Sequence, residues 1–579
     1  MTHNRRRIPA ALLVVLGLYG VSALVVPTLA PVAISDDFLY TRTVEILGTR
    51  AELVILPAAA MTLVFQAAWG ALFLTLFGES LGALRVATVV FTAVSALAVY
   101  GLARTLRVSR GASALGAAVY LFNPLGYVLS FTFMTDGYFA GTVVIAAYFY
   151  ARGLRDGEVH AGWVLAGSLA AALAFLVRQQ GLLIPLSVLT YLVVAGRLRR
   201  DRVSLRLCLY VALLPVIGAA IYYVWFNYSH GVAGTTAQDN YFESWSDAGV
   251  AGIATMIGRI AFLDAMFLGL FVLPVGLAAL PRVRKLVASV PKFGWVAMAG
   301  VVTVVVTAAA VYPSWLRLPL APHFITNEGL GPTGDLRGGR LPLVGGAVRT
   351  LATLGCVAAA LVLLLALCRL LGTLRSPANA AATLVLSVLG WQAIGVLVPS
   401  VVLRDTTISY DRYFLPLLPL AVCLALWALR PIGINLPIAI GVTAVLAVVS
   451  VAGTHDFIEY QAAAWKLARH ARAAGVPVDR LDGGAAWDGR YLYEHSVKEN
   501  IKPVLPKNLP PGPLLLSDHD LPPWWLTYYA PAAVENDYIV SAEPLVGFTV
   551  VRRVEYPSWL GRSRTYMYLL RHPDASGPP

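Results

Sequence analysis

Residues 8–40 read IPAALLVVLGLYGVSALVVPTLAPVAISDDFLY, an apolar run that ends shortly before two adjacent carboxylates, Asp36 and Asp37. The apolar part, residues 8–30, is long enough to cross a hydrocarbon core of about 30 Å. The two carboxylates therefore emerge together at one mouth of the span, where water meets lipid. Such a position is suited to chemistry on a substrate that a lipid carries.

The composition of the whole chain is that of a polytopic membrane protein. Of its 579 residues, 58% are hydrophobic and 13% are charged, whereas about a quarter of the residues of a soluble domain are charged. The formal charge of +13 could suit nucleic acid, but the arginines stand in short clusters between apolar runs, as the positive-inside rule expects. We therefore predict membrane lipid as a partner and no nucleic acid.

The four cysteines lack CxxC spacing, so neither a disulfide framework nor a zinc site is predicted.

Apolar runs and their basic flanks predict about thirteen transmembrane helices, with the N-terminus in the cytoplasm. The apolar stretch 53–77, with Gln66 in its middle, is not counted, because counting it would move every later basic loop to the outside. It is predicted to be a helix that lies on or dips into the outer face. The predicted spans are 8–30, 81–103, 112–129, 137–151, 161–177, 181–196, 207–226, 260–280, 294–312, 347–371, 379–403, 413–429 and 433–453.

Two domains are predicted from the change in composition near the end of the last span. Residues 1–455 would form a transmembrane module with juxtamembrane helices on its outer face, within 31–80. Residues 456–579 are polar and rich in Pro, Trp and Tyr, which predicts an extracytoplasmic α/β domain. Its predicted elements include a helix over 457–474 and strands near 538–540 and 548–551.

Three acidic residues in the predicted outer loops are candidates for catalysis. Asp36 and Asp37 can supply a general base and an orienting or metal-binding partner, which deprotonation of an attacking hydroxyl requires. Their structural alternative is a solvated helix cap after Ser35. Asp136 follows Thr135 on the same predicted face, and it too could be only a helix cap. We predict that Asp36, Asp37 and Asp136 are catalytic, with Asp36 and Asp136 as ligands if a divalent cation is used.

Two arginines on the predicted outer face are candidates for binding a donor phosphate. Arg178 opens the sequence RQQG, residues 178–181, between two apolar runs, where a cation is costly unless it meets an anion. Arg412 would be a second phosphate ligand, and Tyr413 a hydroxyl donor or an aromatic floor for a sugar. The alternatives are that Arg178 reaches ordinary headgroups and that Arg412 pairs with Asp411.

In their order along the chain, these motifs resemble those of the GT-C membrane glycosyltransferases, notably the branch of protein O-mannosyltransferases and lipid A aminoarabinose transferases. The resemblance covers residues 1 to about 455, and the stretch 53–77 corresponds to the juxtamembrane helix of that branch. Asp36-Asp37-Phe38-Leu39-Tyr40 resembles the family's Asp-Glu/Asp-x-x-Tyr, and Thr135-Asp136 resembles its Thr-Asp. Arg178-Gln179-Gln180-Gly181 resembles its Lys/Arg-x-x-Gly, and residues 412–419 resemble its Arg-Tyr-x-Leu-Pro-x-x-Pro.

The resemblance implies a GT-C fold and an inverting transfer of a sugar from a polyprenyl-phosphate donor to an extracytoplasmic acceptor. It implies that Arg178, Arg412 and Tyr413 hold the donor phosphate. Asp37 departs from the branch, which usually has Glu there, and an Asp-Asp pair is seen in users of decaprenyl-phosphate-arabinose. The sugar, mannose or a pentose such as arabinose, therefore stays open, as do the acceptor (glycan, lipid or protein) and the use of a divalent cation.

The composition also predicts where the protein is located. Arginine far exceeds lysine, and Ala and Gly are abundant, which suggests a bacterium and hence a multi-pass protein of its plasma membrane. The resemblance to users of decaprenyl-phosphate-arabinose implies a role in the cell wall. The alternative function is a flippase or transporter of a lipid-linked sugar, for which repeats and ionisable residues at the bilayer midplane are typical. The predicted spans carry almost no charge and the candidate residues gather on one face, which favours an enzyme.

Overall fold

The computed structural model of the protein describes residues 9–155, 158–199, 201–230, 235–311, 318–332, 334–373, 376–402, 407–498, 525, 537–561 and 564–575. These residues form a large assembly of helices followed by a small sheet. Much of the predicted C-terminal domain, between residues 498 and 537, lies outside the described residues apart from Trp525.

The helices are numbered α1 to α20 in chain order. The first ten are Ala10–Val25, Asp37–Arg50, Val64–Phe77, Leu81–Thr105, Arg110–Leu121, Pro124–Ser130, Thr135–Gly153, Ala161–Phe175, Leu183–Val194 and Arg202–His230. The other ten are Thr236–Asp247, Gly249–Phe271, Leu273–Ala279, Val283–Ala288, Lys292–Val311, Gly346–Leu370, Ala380–Gly395, Leu417–Leu429, Leu436–Ala473 and Ala485–Lys498.

The strands form two short hairpins and one C-terminal sheet. Strands β1 to β8 are Ile325–Thr326, Gly329–Leu330, Val401–Val402, Thr407–Ile408, Leu481–Asp482, Tyr538–Ser541, Thr549–Tyr556 and Thr565–Arg571. The C-terminal sheet has the order β5-β6-β8-β7, in which only the β5–β6 pair is parallel. The predicted strands near 538 and 548 overlap β6 and β7, so a C-terminal sheet region is confirmed.

The multi-pass character of the chain is confirmed, but the number of crossings is not. Each of the thirteen predicted spans overlaps a described helix. Of the described helices, six are long and apolar enough to cross a membrane, or seven if α5 and α6, bent by 63° at their break, are one span. Six further apolar stretches have only 10–17 residues, fewer than the ~20 that a straight crossing needs.

Helix α7 packs closely against both α4 and α8 in the helical assembly. α7 is buried along almost its whole length. Small residues allow the helices to approach, because Gly141 of α7 lies against Phe91 and Ser95 of α4, and Gly167 of α8 lies on the ring of Tyr150. The amide of Phe133, just before α7, donates to the carboxylate of Asp37, so the N-terminus of α7, with Asp136 in its first turn, lies beside the loop between α1 and α2.

The predicted helix 53–77 is wrong in its first half, since only Val64–Phe77 is helical. Pro57 cannot donate a helical hydrogen bond, and Leu63 has a left-handed backbone conformation with φ of 62°. The amide of Leu63 instead donates to the carbonyl of Val177 at 3.3 Å. Within α3, the buried Gln66 donates from Nε2 to the carbonyl of Phe133 at 2.7 Å. The stretch therefore joins the loops before α7 and after α8.

The predicted domain boundary, between residues 455 and 456, falls inside α19. This helix of 38 residues is about 57 Å long, nearly twice the hydrocarbon thickness. The predicted helix 457–474 is thus its second half. The carboxylate of Asp456 accepts hydrogen bonds from Ser558 Oγ at 2.7 Å and from the amide of Leu560 at 2.8 Å, which ties α19 to the β7–β8 hairpin. The division into two domains stays a prediction.

The predicted orientation gives an expected labelling pattern. Asp574 is 91% exposed beyond β8, and Lys285 is exposed in α14, a basic segment predicted to be cytoplasmic. A membrane-impermeant maleimide should label Asp574→Cys in intact cells and Lys285→Cys only after permeabilisation, in a background without the four native cysteines. The opposite pattern would contradict the predicted orientation of both segments.

Candidate active site

The first feature of the site is an ion pair between two of the predicted residues, Asp36 and Arg412. Asp36 directly precedes α2, and Arg412 lies in a single 3-10 turn just before α18. Nη2 of Arg412 is 2.8 Å from Oδ2 of Asp36, and the two side chains are 7% and 23% exposed. The guanidinium carbon lies 5.4 Å from the ring centre of Tyr410 and 5.5 Å from that of Tyr413. A partly exposed carboxylate thus meets a cation in aromatic surroundings.

The second feature is a buried ion pair between Asp136 and Arg178. Nη2 of Arg178 is 2.7 Å from Oδ1 of Asp136, and both side chains are fully buried. Nε and Nη2 of Arg178 also donate to Oγ1 of Thr135 at 2.8 and 2.6 Å. The turn can form here because Gly181 has no side chain, since a Cβ would collide with the backbone of Phe175. Arg178 thus has a carboxylate of the protein as its partner in the structure, and its contact with a lipid phosphate stays a prediction.

The two ion pairs form one charged cluster around Tyr40, which is buried in α2. Burial raises the pKa of Tyr40, and Asp36, Arg412, Arg178 and Asp136 all act electrostatically on its phenol. Burial acts to lower the pKa of Arg412, but the negative charge of Asp36, with a contribution from Asp136, raises it well above its usual value. The structure thus brings together four charged residues that lie far apart in the sequence.

Asp37 lies beneath the cluster rather than in it. Its buried carboxylate accepts hydrogen bonds from the amide of Ile34 at 2.6 Å and from the amide of Phe133 at 3.3 Å. Burial raises the pKa of Asp37 to about 7. Arg85 of α4 holds the same loop, since its guanidinium donates to the carbonyls of Thr28 and Ala30 at 3.0 and 2.6 Å. Asp37 therefore joins the loop between α1 and α2 to the loop before α7.

Asp411 does not pair with Arg412, contrary to the alternative considered from the sequence. Its Oδ2 accepts hydrogen bonds from the amides of Phe324 at 2.8 Å and Ile325 at 2.6 Å, and from that of His323 at 3.3 Å. Burial raises the pKa of Asp411 to about 7. Asp411 thus fixes the segment before β1 next to Arg412.

Two residues near the cluster were not predicted, His323 and Asp335. The ring centres of His323 and Tyr410 are 4.6 Å apart. Burial, assisted by the charge of Arg412, lowers the pKa of His323 to about 3, so its ring is neutral. Burial and the charge of Asp36 raise the pKa of Asp335 to about 8. No motif surrounds either residue. The hydrogen bonds of Asp411 hold His323 here, and Asp335 interacts electrostatically with Asp36 and Arg412.

The carboxylates of the cluster do not fit a divalent cation. Among the described residues, no three His, Cys, Asp or Glu side chains are grouped so that they could hold a metal ion. Asp36 and Asp136, the predicted ligands, each face a guanidinium at 2.8 and 2.7 Å. A divalent cation would have to displace both arginines.

A cavity of about 250 Å³ adjoins α2 just beyond the acidic pair. It lies between α2 and α20, and Glu45 of α2 binds an arginine from each, at 3.4 Å from Arg42 and 2.8 Å from Arg490. Its aromatic and basic lining has the chemistry of a site for a polar, ring-containing ligand. The lining includes Phe38, Arg42, Leu56, Arg490, Tyr491 and Tyr493.

Some solved membrane enzymes show a loose overall similarity to this chain. ArnT from Cupriavidus metallidurans bound to undecaprenyl phosphate is 16% identical over 99% of this chain and 100% of that chain, with a TM-score of 0.39. ArnT from the same organism in the apo state is 15% identical over 81% of this chain and 66% of that chain, with a TM-score of 0.36. The archaeal oligosaccharyltransferase AglB from Archaeoglobus fulgidus, in complex with an inhibitory peptide and a dolichol-phosphate, is 13% identical over 86% of this chain and 60% of that chain, with a TM-score of 0.41. The chain thus spans less than two thirds of the length of apo ArnT and of AglB. Overlaps this loose support no conclusion about function.

The comparison of sequences gives a family match over part of the chain. No curated protein matches the chain. Residues 64–225 match the family model of dolichyl-phosphate-mannose-protein mannosyltransferases. The matched segment runs from α3 into α10. It contains Arg85, which binds the loop between α1 and α2, and the buried ion pair of Asp136 and Arg178. On this segment the chain is similar to the dolichyl-phosphate-mannose-protein mannosyltransferases, and the predicted resemblance to the protein O-mannosyltransferase branch is confirmed for residues 64–225.

Proposed function

We propose that the protein is an inverting membrane glycosyltransferase that moves a sugar from a polyprenyl-phosphate donor to an acceptor hydroxyl outside the cytoplasm. The observation that carries the proposal is the Asp36–Arg412 pair, in which a partly exposed carboxylate and a cation lie 2.8 Å apart at one site. A general base and a phosphate ligand are the two groups that such a transfer requires.

In the proposed reaction, Asp36 takes the proton of the acceptor hydroxyl while the hydroxyl oxygen attacks the anomeric carbon. The bond between that carbon and the donor phosphate breaks, and polyprenyl phosphate leaves with the bonding electrons. Arg412 stabilises the negative charge that grows on the leaving phosphate. Attack from the side opposite the phosphate inverts the anomeric centre.

The geometry also connects donor binding to activation of the base. In the structure Arg412 is bound to Asp36, and a guanidinium that neutralises a carboxylate makes it a weaker base. A donor phosphate bound at Arg412 would compete with Asp36 for the same N–H groups. The donor would thereby release Asp36 to accept the proton of the acceptor.

The other predicted site residues take supporting roles in this proposal. Tyr413, whose ring lies beside the Arg412 guanidinium, would pack against the donor. Asp37 holds the loop that carries Asp36, and the buried Asp136–Arg178 pair supports the cluster from the protein interior. The direct catalytic role of Asp136 and the direct phosphate contact of Arg178 stay predictions, as do the sugar, mannosyl or arabinosyl, the acceptor, and the bacterial plasma membrane as the location.

A flippase or transporter of a lipid-linked sugar is the second candidate, and one observation favours it. Arg259 and Asp264 lie within α12, one of the six helices that could cross a membrane. Ionisable residues inside a span are typical of transport pathways. The charged cluster itself lies at helix ends, near the starts of α2, α7 and α18, and this favours the enzyme.

Variants of Arg412 test the proposed phosphate site. Arg412→Ala is expected to weaken binding of polyprenyl phosphate by about ten- to a hundredfold, because a hydrogen bond to a charged group is worth about 1.5–3 kcal/mol. Arg412→Lys should recover part of the affinity if a single positive charge is enough to bind the phosphate, and none if binding requires the bidentate contact of a guanidinium group. Arg480→Ala, in an exposed ion pair with Asp537, is the control and should bind like wild type. Equal binding by wild type and Arg412→Ala would remove Arg412 from the site.

A further inference from the structure

A second cavity, of about 120 Å³, lies at the opposite end of the helices that carry the charged cluster. α4 has Arg85 in its first turns and ends beside Arg104, and α18 follows Arg412 and ends beside Arg430. The 25 residues of α4 span about 37 Å. The cavity and the charged cluster therefore lie on opposite sides of the membrane.

The lining of this cavity is strongly basic. Four arginines contribute to it, Arg104, Arg107, Arg155 and Arg430, and no Asp or Glu is among its lining residues in the described part of the chain. They come from the end of α4 and the turn after it, from the end of α7, and from the end of α18. Guanidinium groups that converge on one concave site focus a positive potential there, which attracts anions.

Two of these guanidinium groups are held in place by backbone carbonyls. Nη1 of Arg430 donates to the carbonyls of Leu106 at 3.2 Å and Arg107 at 3.4 Å, and Nη1 of Arg104 donates to the carbonyl of Val108. These carbonyls belong to the turn between α4 and α5. The cations are thus fixed around the cavity before any ligand arrives, which lowers the entropy that binding must offset.

We propose that this cavity binds the phosphate group of an anionic phospholipid. Guanidinium groups match phosphate oxygens in geometry and charge, and basic pockets between helices at the cytoplasmic side of a membrane bind anionic headgroups. Trp427, which also lines the cavity, is a residue type enriched at the membrane–water interface. The positive-inside rule explains the presence of arginines on this side, but not their convergence from three helix ends on one cavity.

The site is independent of the proposed sugar transfer, and retained lipid tests it directly. The full-length protein is purified from membranes that contain both phosphatidylglycerol and phosphatidylcholine, and the lipid that stays bound is measured by native mass spectrometry. Wild type should retain phosphatidylglycerol in preference to phosphatidylcholine. A variant with Arg107→Ala and Arg155→Ala, and a separate variant Arg430→Glu, should each lose this preference, by about tenfold or more. Arg284→Ala, an exposed arginine in α14 outside the cavity, should behave like wild type.

Two outcomes would overturn the proposal. Equal retention of phosphatidylglycerol by wild type and by a folded cavity variant would show that the arginines hold no lipid. If inorganic phosphate bound to wild type in detergent while phosphatidylglycerol was not enriched over phosphatidylcholine, the ligand would be a soluble anion instead of a lipid. Two different variants are used so that a folding defect in one leaves the other as a test.

Discussion

Asp36→Asn is expected to lower the rate of sugar transfer by about 10²- to 10⁴-fold, the range that a general base contributes. The amide has the shape of the carboxylate but cannot take the proton of the acceptor hydroxyl. Donor binding should persist or tighten, because the variant removes the carboxylate that competes with phosphate for Arg412 at 2.8 Å. The transfer rate and the dissociation constant for polyprenyl phosphate are measured on the same preparation.

Asp37→Asn is the matched control for this prediction. Both carboxylate oxygens of Asp37 accept backbone amides, at 2.6 and 3.3 Å, and an amide can accept at only one of these positions. This variant should therefore lower stability more than Asp36→Asn does. Transfer by Asp36→Asn within tenfold of wild type would remove Asp36 as the base.

Arg178→Ala is expected to lower the free energy of unfolding by about 3–5 kcal/mol, the usual cost of leaving a buried charge without its partner. The remaining carboxylate, Asp136, is fully buried and 2.7 Å from the guanidinium that is lost. Unfolding of the variant in detergent is followed by heat or by denaturant. Replacing both charges, Asp136→Asn with Arg178→Gln, should cost less than Arg178→Ala alone, because no charge is then left unpaired.

The exposed ion pair Arg480–Asp537, with a distance of 3.0 Å, provides the comparison for Arg178. Arg480→Ala should change the free energy of unfolding by only about 0–1 kcal/mol, as is usual for surface pairs. If Arg178→Ala were no more destabilising than Arg480→Ala, the carboxylate of Asp136 would have another partner or would be neutral, and the buried ion pair would not support the cluster.

The sequence predicted which residues gather at the site but not how they pair. Asp36 and Arg412 are 376 positions apart, and no local pattern indicates that they form an ion pair. Arg178 looked like a cation in need of a lipid phosphate because its partner, Asp136, lies on another helix. Asp37 and Asp36 are adjacent and chemically identical, and only the backbone amides around Asp37 distinguish a buried loop anchor from a partly exposed base.

Helix positions were predictable because long apolar runs identify buried helices whatever their partners. The start of α3 was not predictable, because the apolar stretch 53–77 begins in the irregular segment that ends at Leu63, before the helix. The number of crossings was not predictable either, because hydropathy does not show whether a helix of 10–17 residues spans the membrane. His323 and Asp335 belong to no motif. The place of His323 results from the hydrogen bonds of Asp411 to residues 323–325, and the carbonyl of Asp335 accepts from the amide of Ala485.

If the proposed transfer occurs, a lipid-linked sugar is consumed at Asp36, and the fate of the sugar–phosphate bond distinguishes this reaction from transport. Purified wild type and Asp36→Asn are reconstituted in liposomes with a polyprenyl-phosphate sugar and with membranes of the expressing cells as the source of acceptor. Free polyprenyl phosphate and intact donor in each leaflet are then measured by mass spectrometry and by leaflet-specific oxidation of the sugar. We expect polyprenyl phosphate to accumulate with wild type and not with Asp36→Asn. Movement of intact donor between the leaflets without release of polyprenyl phosphate would contradict the account and identify a flippase.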